Sequence, residues 1–264
     1  MKKLDFLKDI VQRKKDRILL AKQGLPEEDL KMKIGSLPPP KPFIENIIKP
    51  RTISLVAEIK KASPSRGIIR QDFKYLDIAR IYQELGVQAI SVLTEEDFFM
   101  GNISYINEIK AVCDKPLLRK DFIIEPYQVY ESRFYGADAI LFIAGLLTKD
   151  ELIGLIKVAN EVGLDYVVEV HTQNELKKIL NLNVDVPLIG INNRDLHTLE
   201  VDTKTVERLF PLVPKDRNVI VESGIKTYQD VLFLKILGVS AVLIGEAFME
   251  AEDIARKVEE VMGW

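Results

Sequence analysis

An α/β fold, a closed (β/α)8 barrel with an N-terminal helical extension, is what this sequence predicts, and three observations carry it. Eight short apolar runs recur along residues 51–264, most of them β-branched or leucine-rich and nearly continuous. Parallel strands buried on both faces read that way, whereas a half-solvated sheet alternates apolar with polar. Between the runs lie amphipathic segments: Leu76, Ala79, Tyr82 and Leu85 share one helical face, as do Leu152, Ile156, Ala159 and Val162. Four segments end alike, at Leu85-Gly86, Tyr135-Gly136, Val162-Gly163 and Leu237-Gly238, with a strand opening shortly after each. A glycine there is a left-handed helix stop, and the strings GVQAISVL, GADAILFI, GLDYVVEV and GVSAVLIG mark a repeated helix–turn–strand unit. Eight such units close a barrel. The alternative, an open doubly wound sheet, expects G-x-G-x-x-G after its first strand; the turn here reads Lys61-Ala62-Ser63-Pro64-Ser65-Arg66-Gly67.

In chain order, residues 1–50 stand apart. Leu4, Leu7, Ile10 and Val11 place one helix, Leu37-Pro38-Pro39-Pro40-Lys41-Pro42-Phe43 is a stiff connector, and Phe43–Ile48 is expected as a second short helix. This extension has too few apolar residues for its own core, so it is expected to pack on the barrel of residues 51–264 within a single structural domain. The strands are expected at Ser54–Lys60, Ala89–Thr94, Leu117–Phe122, Ala139–Ala144, Tyr166–Val170, Leu188–Asn192, Val219–Glu222 and Ala241–Gly245.

Charge narrows the function classes. The 37 basic and 40 acidic residues are interleaved and sum to −3, so nothing points to nucleic-acid or membrane partners, and any anion selectivity must be local. The N-terminus breaks its apolar residues with charge, unlike a signal peptide, and the longest strongly apolar run, Ala139–Leu147, is far short of a bilayer span. Cys113 is the only cysteine, which excludes an intramolecular disulfide and favours a reducing compartment. A cytoplasmic monomer is expected.

Active sites of such barrels gather at the carboxyl ends of the strands, and charge within apolar strands is costly without a task or partner. Six strand ends carry polar or ionisable groups: Glu58 and Lys60, Arg119-Lys120-Asp121, Glu169, Asn192-Asn193-Arg194-Asp195, Glu222-Ser223-Gly224, and Gly245-Glu246. Any one reads equally well as a solvated end or structural ion pair; six at one mouth do not. Alternation points Glu58 and Lys60 to the same side. Glycine turns after strands seven and eight, at Gly224 and Gly245, occupy the usual phosphate position. Lys60 and Lys120 are candidate acids on the expectation that burial lowers a lysine pKa, with Glu58, Glu169 and Glu222 as balancing bases. His171 and His197 follow strand ends but have no partner at metal-ligand spacing and read as surface histidines. Cys113 reads as a buried, inert residue in the helical stretch before strand three. No metal site is expected.

These strand-end motifs resemble the indole-3-glycerol-phosphate synthase family, a family of TIM barrels. The matching elements are Ala57-Glu58-Ile59-Lys60 with Ser63-Pro64-Ser65, Leu93-Thr94-Glu95-Glu96 followed by Phe99-x-Gly101, Arg119-Lys120-Asp121-Phe122, Glu169-Val170, Ile191-Asn192-x-Arg194-Asp195-Leu196, Glu222-Ser223-Gly224-Ile225 and Gly245-Glu246. They occur in family order over roughly residues 50–250, and the extension resembles the family's extra helices.

The resemblance implies conversion of 1-(2-carboxyphenylamino)-1-deoxyribulose 5-phosphate to indole-3-glycerol phosphate, carbon dioxide and water. By resemblance Lys120 protonates the ketone oxygen, and the iminium formed on ring closure is the electron sink for decarboxylation, so no cofactor is implied. Glu169 and Lys60 are implied in dehydration, their division of labour left open. Arg194, with Lys60 or Lys120, would hold the carboxylate, Asn192 would orient the hydroxyls or the ring nitrogen, and Glu58 the lysines. Phe99, Phe122, Leu141, Leu196 and Pro64 would pack on the aromatic ring. Glu222 and Ser223 would bridge the centre to a phosphate held at Gly224, Gly245 and Glu246, with Lys60 and Ser63 in reach. The sequence departs from the family pattern at Ile59, where tyrosine is common, at Ala247-Phe248, where serine-leucine is, and at Glu250, where arginine is. Ile59 is expected to point away from the barrel interior. Phosphoribosylanthranilate isomerase would resemble a barrel with cysteine on its first strand, which this chain lacks; a non-catalytic barrel would not keep Lys60, Lys120, Glu169 and Asn192 together.

Overall fold

A computed structural model describes residues 6–264; Leu4 lies outside them. Eight parallel strands close a barrel: β1 Ser54–Ile59, β2 Ala89–Leu93, β3 Leu117–Lys120, β4 Ala139–Ile143, β5 Asp165–Val170, β6 Leu188–Asn192, β7 Asn218–Glu222 and β8 Ala241–Ile244. Each pairs with its sequence neighbours, and β8 closes on β1 through Ser54–Ala241 to Ala57–Ile244. Seven of the expected strands run on past the observed ladder or stop short of it by one or two residues. Only β6 matches at both ends, and β4 differs at one residue, Ala144, which begins a 3-10 turn. Beyond the ladder the chain makes other bonds at the mouth: Asp121 accepts a hydrogen bond from the Phe122 backbone, and Gly245 caps a short helix.

Alternation divides the apolar residues into two layers. Outward-facing Leu55, Ala57, Ile59, Ile90 and Val92 pack with the helices in one cluster, so Ile59 does face away from the interior. Inward-facing Val56, Leu118, Leu141, Ile143, Val167, Leu188, Ile220 and Leu243 fill the barrel. Gly86, Gly136, Gly163 and Gly238 all take φ between 72° and 103°, the left-handed turn expected of them. Cys113 is buried but lies beyond helix Ser104–Lys110, in the connection to β3; burial pushes its thiol pKa up.

The extension holds three helices, α1 Phe6–Gly24, α2 Glu27–Ile34 and α3 Phe43–Ile47. The middle one was not expected, although Pro26 ahead of Glu27-Glu28-Asp29 is a helix-start pattern. Phe43 and Ile47 of α3 are fully buried with the barrel interior, and the Ile44 backbone donates to Asp165 at the start of β5. α3 therefore seals the amino-terminal end. At the opposite end α1 reaches the mouth: Phe6 packs edge-on against Phe98 and Phe122, and Lys14 bonds Asp121 and Glu96.

Candidate active site

The carboxyl ends of the strands enclose a cavity of about 340 Å³. Its floor is ionic because inward positions at the top of β1, β3, β5 and β7 carry Glu58, Lys120, Glu169 and Glu222. Lys120 Nζ stands 3.2 Å from Glu169 Oε2 and 3.2 Å from Glu222 Oε2. Lys60 Nζ donates to Glu58 Oε2 at 2.5 Å, as same-side alternation requires. Gly190 on β6 makes room for this layer, since a Cβ there would lie 2.9 Å from Glu222 Oε1.

One ammonium between two buried carboxylates cannot compensate both fully, and they part accordingly. Burial raises the Glu169 pKa, but Lys120 and His171 more than reverse it and hold the carboxyl well below its usual range. For Glu222, burial with Glu169 and Glu58 nearby prevails over Lys120 and pushes the pKa up to about 8. Apart from the Lys120 contact at Oε2, the buried Glu222 oxygens have no polar partner among the described residues, so little offsets the cost of a charge there. The expectation of a lowered lysine pKa fails at Lys120: burial does push it down, but Glu169, Glu222 and Glu58 outweigh burial and hold it well above its ordinary value.

Above the floor, Phe99, Phe122 and Leu196 form an apolar wall with Leu93 and Ile143; the Phe99 and Phe122 rings are 6.2 Å apart. The loop bearing Phe99 is shaped by buried Glu95, whose carboxylate accepts from the backbones of Asp97, Phe98 and Phe99 at 2.8–3.0 Å. Asn192 lines the cavity and accepts from the Arg194 backbone at 2.9 Å. Arg194 donates to Glu246 at 2.9 Å, Ser65 at 3.1 Å and the Leu199 carbonyl at 3.0 Å. Ser223, Gly224, Gly245 and Glu246 complete the rim. Ser223 and Gly224 have φ of 66° and 80°. A Cβ on Gly245 would meet Glu58 Oε2 at 2.3 Å.

Three expected residues lie off the cavity wall. Leu141 is fully buried in the barrel interior, two positions before Ile143, which takes the wall place. Ser63 and Pro64 belong to a small hairpin after β1, formed by Ala62–Ser63 and Gly67–Ile68. That hairpin is tied across the mouth by Ser65–Arg194 and by an Arg66–Glu250 ion pair, which gives the unusual Glu250 a partner. Ala247 and Phe248 are buried, Phe248 edge-on to Tyr82.

Sequence reasoning missed His171. His197 is exposed, as expected, but the His171 side chain is only 7% exposed, with Nε2 3.0 Å from Glu169 Oε1 and Nδ1 3.3 Å from Glu175 Oε2. Two signals were present: Glu169 and His171 are two apart across the end of a strand, and Thr172-x-x-Glu175 is a helix-start pattern. Asp121, another wall residue, belonged to a recognised motif without being counted in the site.

Comparison with known proteins adds three findings. The family model described as indole-3-glycerol phosphate synthase matches residues 7–261. Indole-3-glycerol phosphate synthase of Desulforamulus reducens is 46% identical over 258 residues, 97% of each chain; that of Caldanaerobacter subterraneus subsp. tengcongensis is 46% identical over 260 residues, 98% of this chain and 99% of its own. Among solved structures, a mutant tryptophan synthase alpha-subunit from Pyrococcus furiosus superposes with TM-score 0.62 at 16% identity, over 82% of this chain and 100% of that one. 3-Hexulose-6-phosphate synthase from Salmonella typhimurium does so with TM-score 0.59 at 15% identity, over 80% and 97%. At such identities the two structures speak for the barrel alone.

Proposed function

The chain belongs to the indole-3-glycerol phosphate synthase family, a carboxy-lyase family of tryptophan biosynthesis, and from that premise we propose how its own residues divide the reaction. The observation that carries the reading is Lys120 Nζ held 3.2 Å from two carboxylates of opposite pKa tendency at the cavity floor.

The substrate is 1-(2-carboxyphenylamino)-1-deoxyribulose 5-phosphate. Its aromatic ring lies against Phe99, Phe122 and Leu196, and its carboxylate takes Arg194 in exchange for Glu246. Its phosphate meets the backbone N–H groups of Ser223, Gly224, Gly245 and Glu246, donors that the Ala247-Phe248 departure leaves intact, with Ser63 and Lys60 nearby. Asn192 orients the hydroxyls. Lys120 donates its proton to the ketone oxygen as the ring carbon bearing the carboxylate attacks. A raised lysine pKa keeps the donor protonated throughout the working range, and an alkoxide forming in a dry site is basic enough to take that proton. Ring closure leaves an iminium that accepts the electron pair released with carbon dioxide. Ionised Glu169 then removes a proton while Lys60, paired with Glu58, assists departure of the hydroxyl as water. Glu222, neutral near pH 7, adds no second charge beside Glu169.

A cytoplasmic monomer is part of the proposal. The lone cysteine suits a reducing compartment. Sedimentation tests the monomer. Activity is tested by mixing purified protein with the anthranilate-ribulose phosphate and following indole fluorescence. Turnover is expected for the wild type and a fall of about 100-fold or more for Lys120→Ala; full activity of that variant would overturn the assignment. Inorganic phosphate is expected to raise the melting temperature through the Ser223–Gly245 rim.

A further inference from the structure

We propose that His171 is a positioning residue for Glu169, held in place by Glu175, so that three residues of one strand-and-helix turn fix the carboxylate that faces Lys120. This rests on the reading of Glu169 as the group that moves a proton.

Glu169 is shared. Its Oε2 accepts from Lys120 at 3.2 Å, and its Oε1 lies 3.0 Å from His171 Nε2. Behind the imidazole, Glu175 Oε2 accepts from the His171 backbone at 2.7 Å and lies 3.3 Å from Nδ1. Glu175 is itself fixed, because its backbone N–H donates to Thr172 at the start of helix Gln173–Leu180. A carboxylate held at one oxygen by a flexible lysine alone could rotate; an imidazole nitrogen 3.0 Å from the other oxygen, an ion-pair contact rather than an aligned hydrogen bond, restricts that rotation. The charged neighbours around the ring come from two elements. β5 supplies Glu169, and the following helix supplies Glu175, while Lys178 of that helix is turned to the carbonyls of Ala144 and Leu147. Two carboxylates facing one ring favour the imidazolium: burial opposes its charge, but Glu169 and Glu175 prevail and raise its pKa to about 10. A cation on each side of Glu169 keeps that carboxylate ionised, whereas Glu222 has a cation on one side only.

The sign follows directly. Removing the imidazolium raises the Glu169 pKa, so the limb on which activity falls with acid moves to higher pH. His171→Gln keeps a neutral amide near the Nε2 position. It is expected to lower kcat about 10- to 100-fold, part of the range a general base supplies, with KM within about threefold. The acidic limb of the kcat/KM profile, which reports the free enzyme, is expected to move up by about one pH unit. In a Glu169→Gln background the same change is expected to cost less than about twofold, because its route is already gone. An unmoved limb with kcat within twofold overturns the proposal, as does an equal loss in the Glu169→Gln background. Full activity of Glu169→Gln alone would instead remove the underlying reading of Glu169. Should His171→Gln not fold, Glu175→Gln with NMR of the intact protein serves. The chain has only two histidines, so the exposed His197 is the internal reference. The His171 ring is expected to stay protonated past pH 8 and to lose its proton earlier in Glu175→Gln; a wild-type ring neutral at pH 7 overturns the proposal.

Discussion

Lys14 joins the extension to the strand that carries Lys120, and removing it tests whether that joint is structural. Asp121 is fully buried and makes four contacts. Oδ1 meets Lys14 Nζ at 2.8 Å and the Phe122 backbone at 2.8 Å. Oδ2 meets Thr94 Oγ1 at 2.6 Å and Arg119 Nη2 at 3.1 Å. Lys14→Met keeps the chain length and removes one cation, leaving Arg119, Thr94 and a backbone N–H on the carboxylate. The loss is then about one charge-assisted hydrogen bond, roughly 2 kcal/mol, or about 4–8 °C for a chain of this size. Asp121→Asn is worse, because both Lys14 and Arg119 lose the charge they face in a buried place; about 3–5 kcal/mol is expected. The pH dependence has a definite sign. Burial raises the Asp121 pKa, but Lys14 and Arg119 bring it well below the usual carboxylate range. The stabilisation is therefore complete above about pH 4 and is lost as pH falls below that toward the folded value. Urea and thermal unfolding by circular dichroism, at pH 7, 5 and 3.5, measure all three points. A Lys14→Met protein within 0.5 kcal/mol of wild type, or one as damaged as Asp121→Asn, would refute the reasoning.

Gly245→Ala should reduce kcat/KM by at least about 100-fold, since its Cβ would stand 2.3 Å from Glu58 Oε2 and displace the Glu58–Lys60 pair; steady-state kinetics check it. Arg194→Lys should raise KM about 10-fold or more, because an ammonium cannot make the paired contact of a guanidinium with the substrate carboxylate; kcat is the control. Glu222 holds its proton in the native state to about pH 8, while the unfolded chain releases it near 4.5, so its contribution to stability falls as pH rises through that window. Glu222→Gln should thus gain on the wild type between pH 5 and 9, by on the order of 1.4 kcal/mol for each unit of native displacement; paired urea melts at the two pH values measure it.

How far the sequence reached depends on the range of the interaction involved. Strand positions were legible because a parallel strand buried on both faces must be apolar throughout, and Gly86, Gly136, Gly163 and Gly238 because a left-handed turn all but requires glycine. Glu58, Lys60, Lys120, Glu169 and Glu222 stood out as charges in such strands. Strand ends were less legible: Thr94, Asp121 and Phe122 leave the ladder for contacts with distant segments. The second helix of the extension went unseen because its start rests on Pro26 and an acidic turn rather than on an apolar stripe.

The charged mouth with which the sequence began is thus determined by the chain alone: residue type and strand alternation set which side chains face inward and at which end. Which of those groups holds a proton was decided only by the closed barrel. Glu169 and Glu222 each lie at or next to the end of an apolar strand, and closure puts Lys120 between them, but the first also has His171 two residues on, whereas the second has only Lys120 among its cations, with two other carboxylates near. Proton affinity in a buried site is a sum over neighbours brought from other strands. The same holds for His171, a surface histidine by spacing, which folding turns onto Glu169.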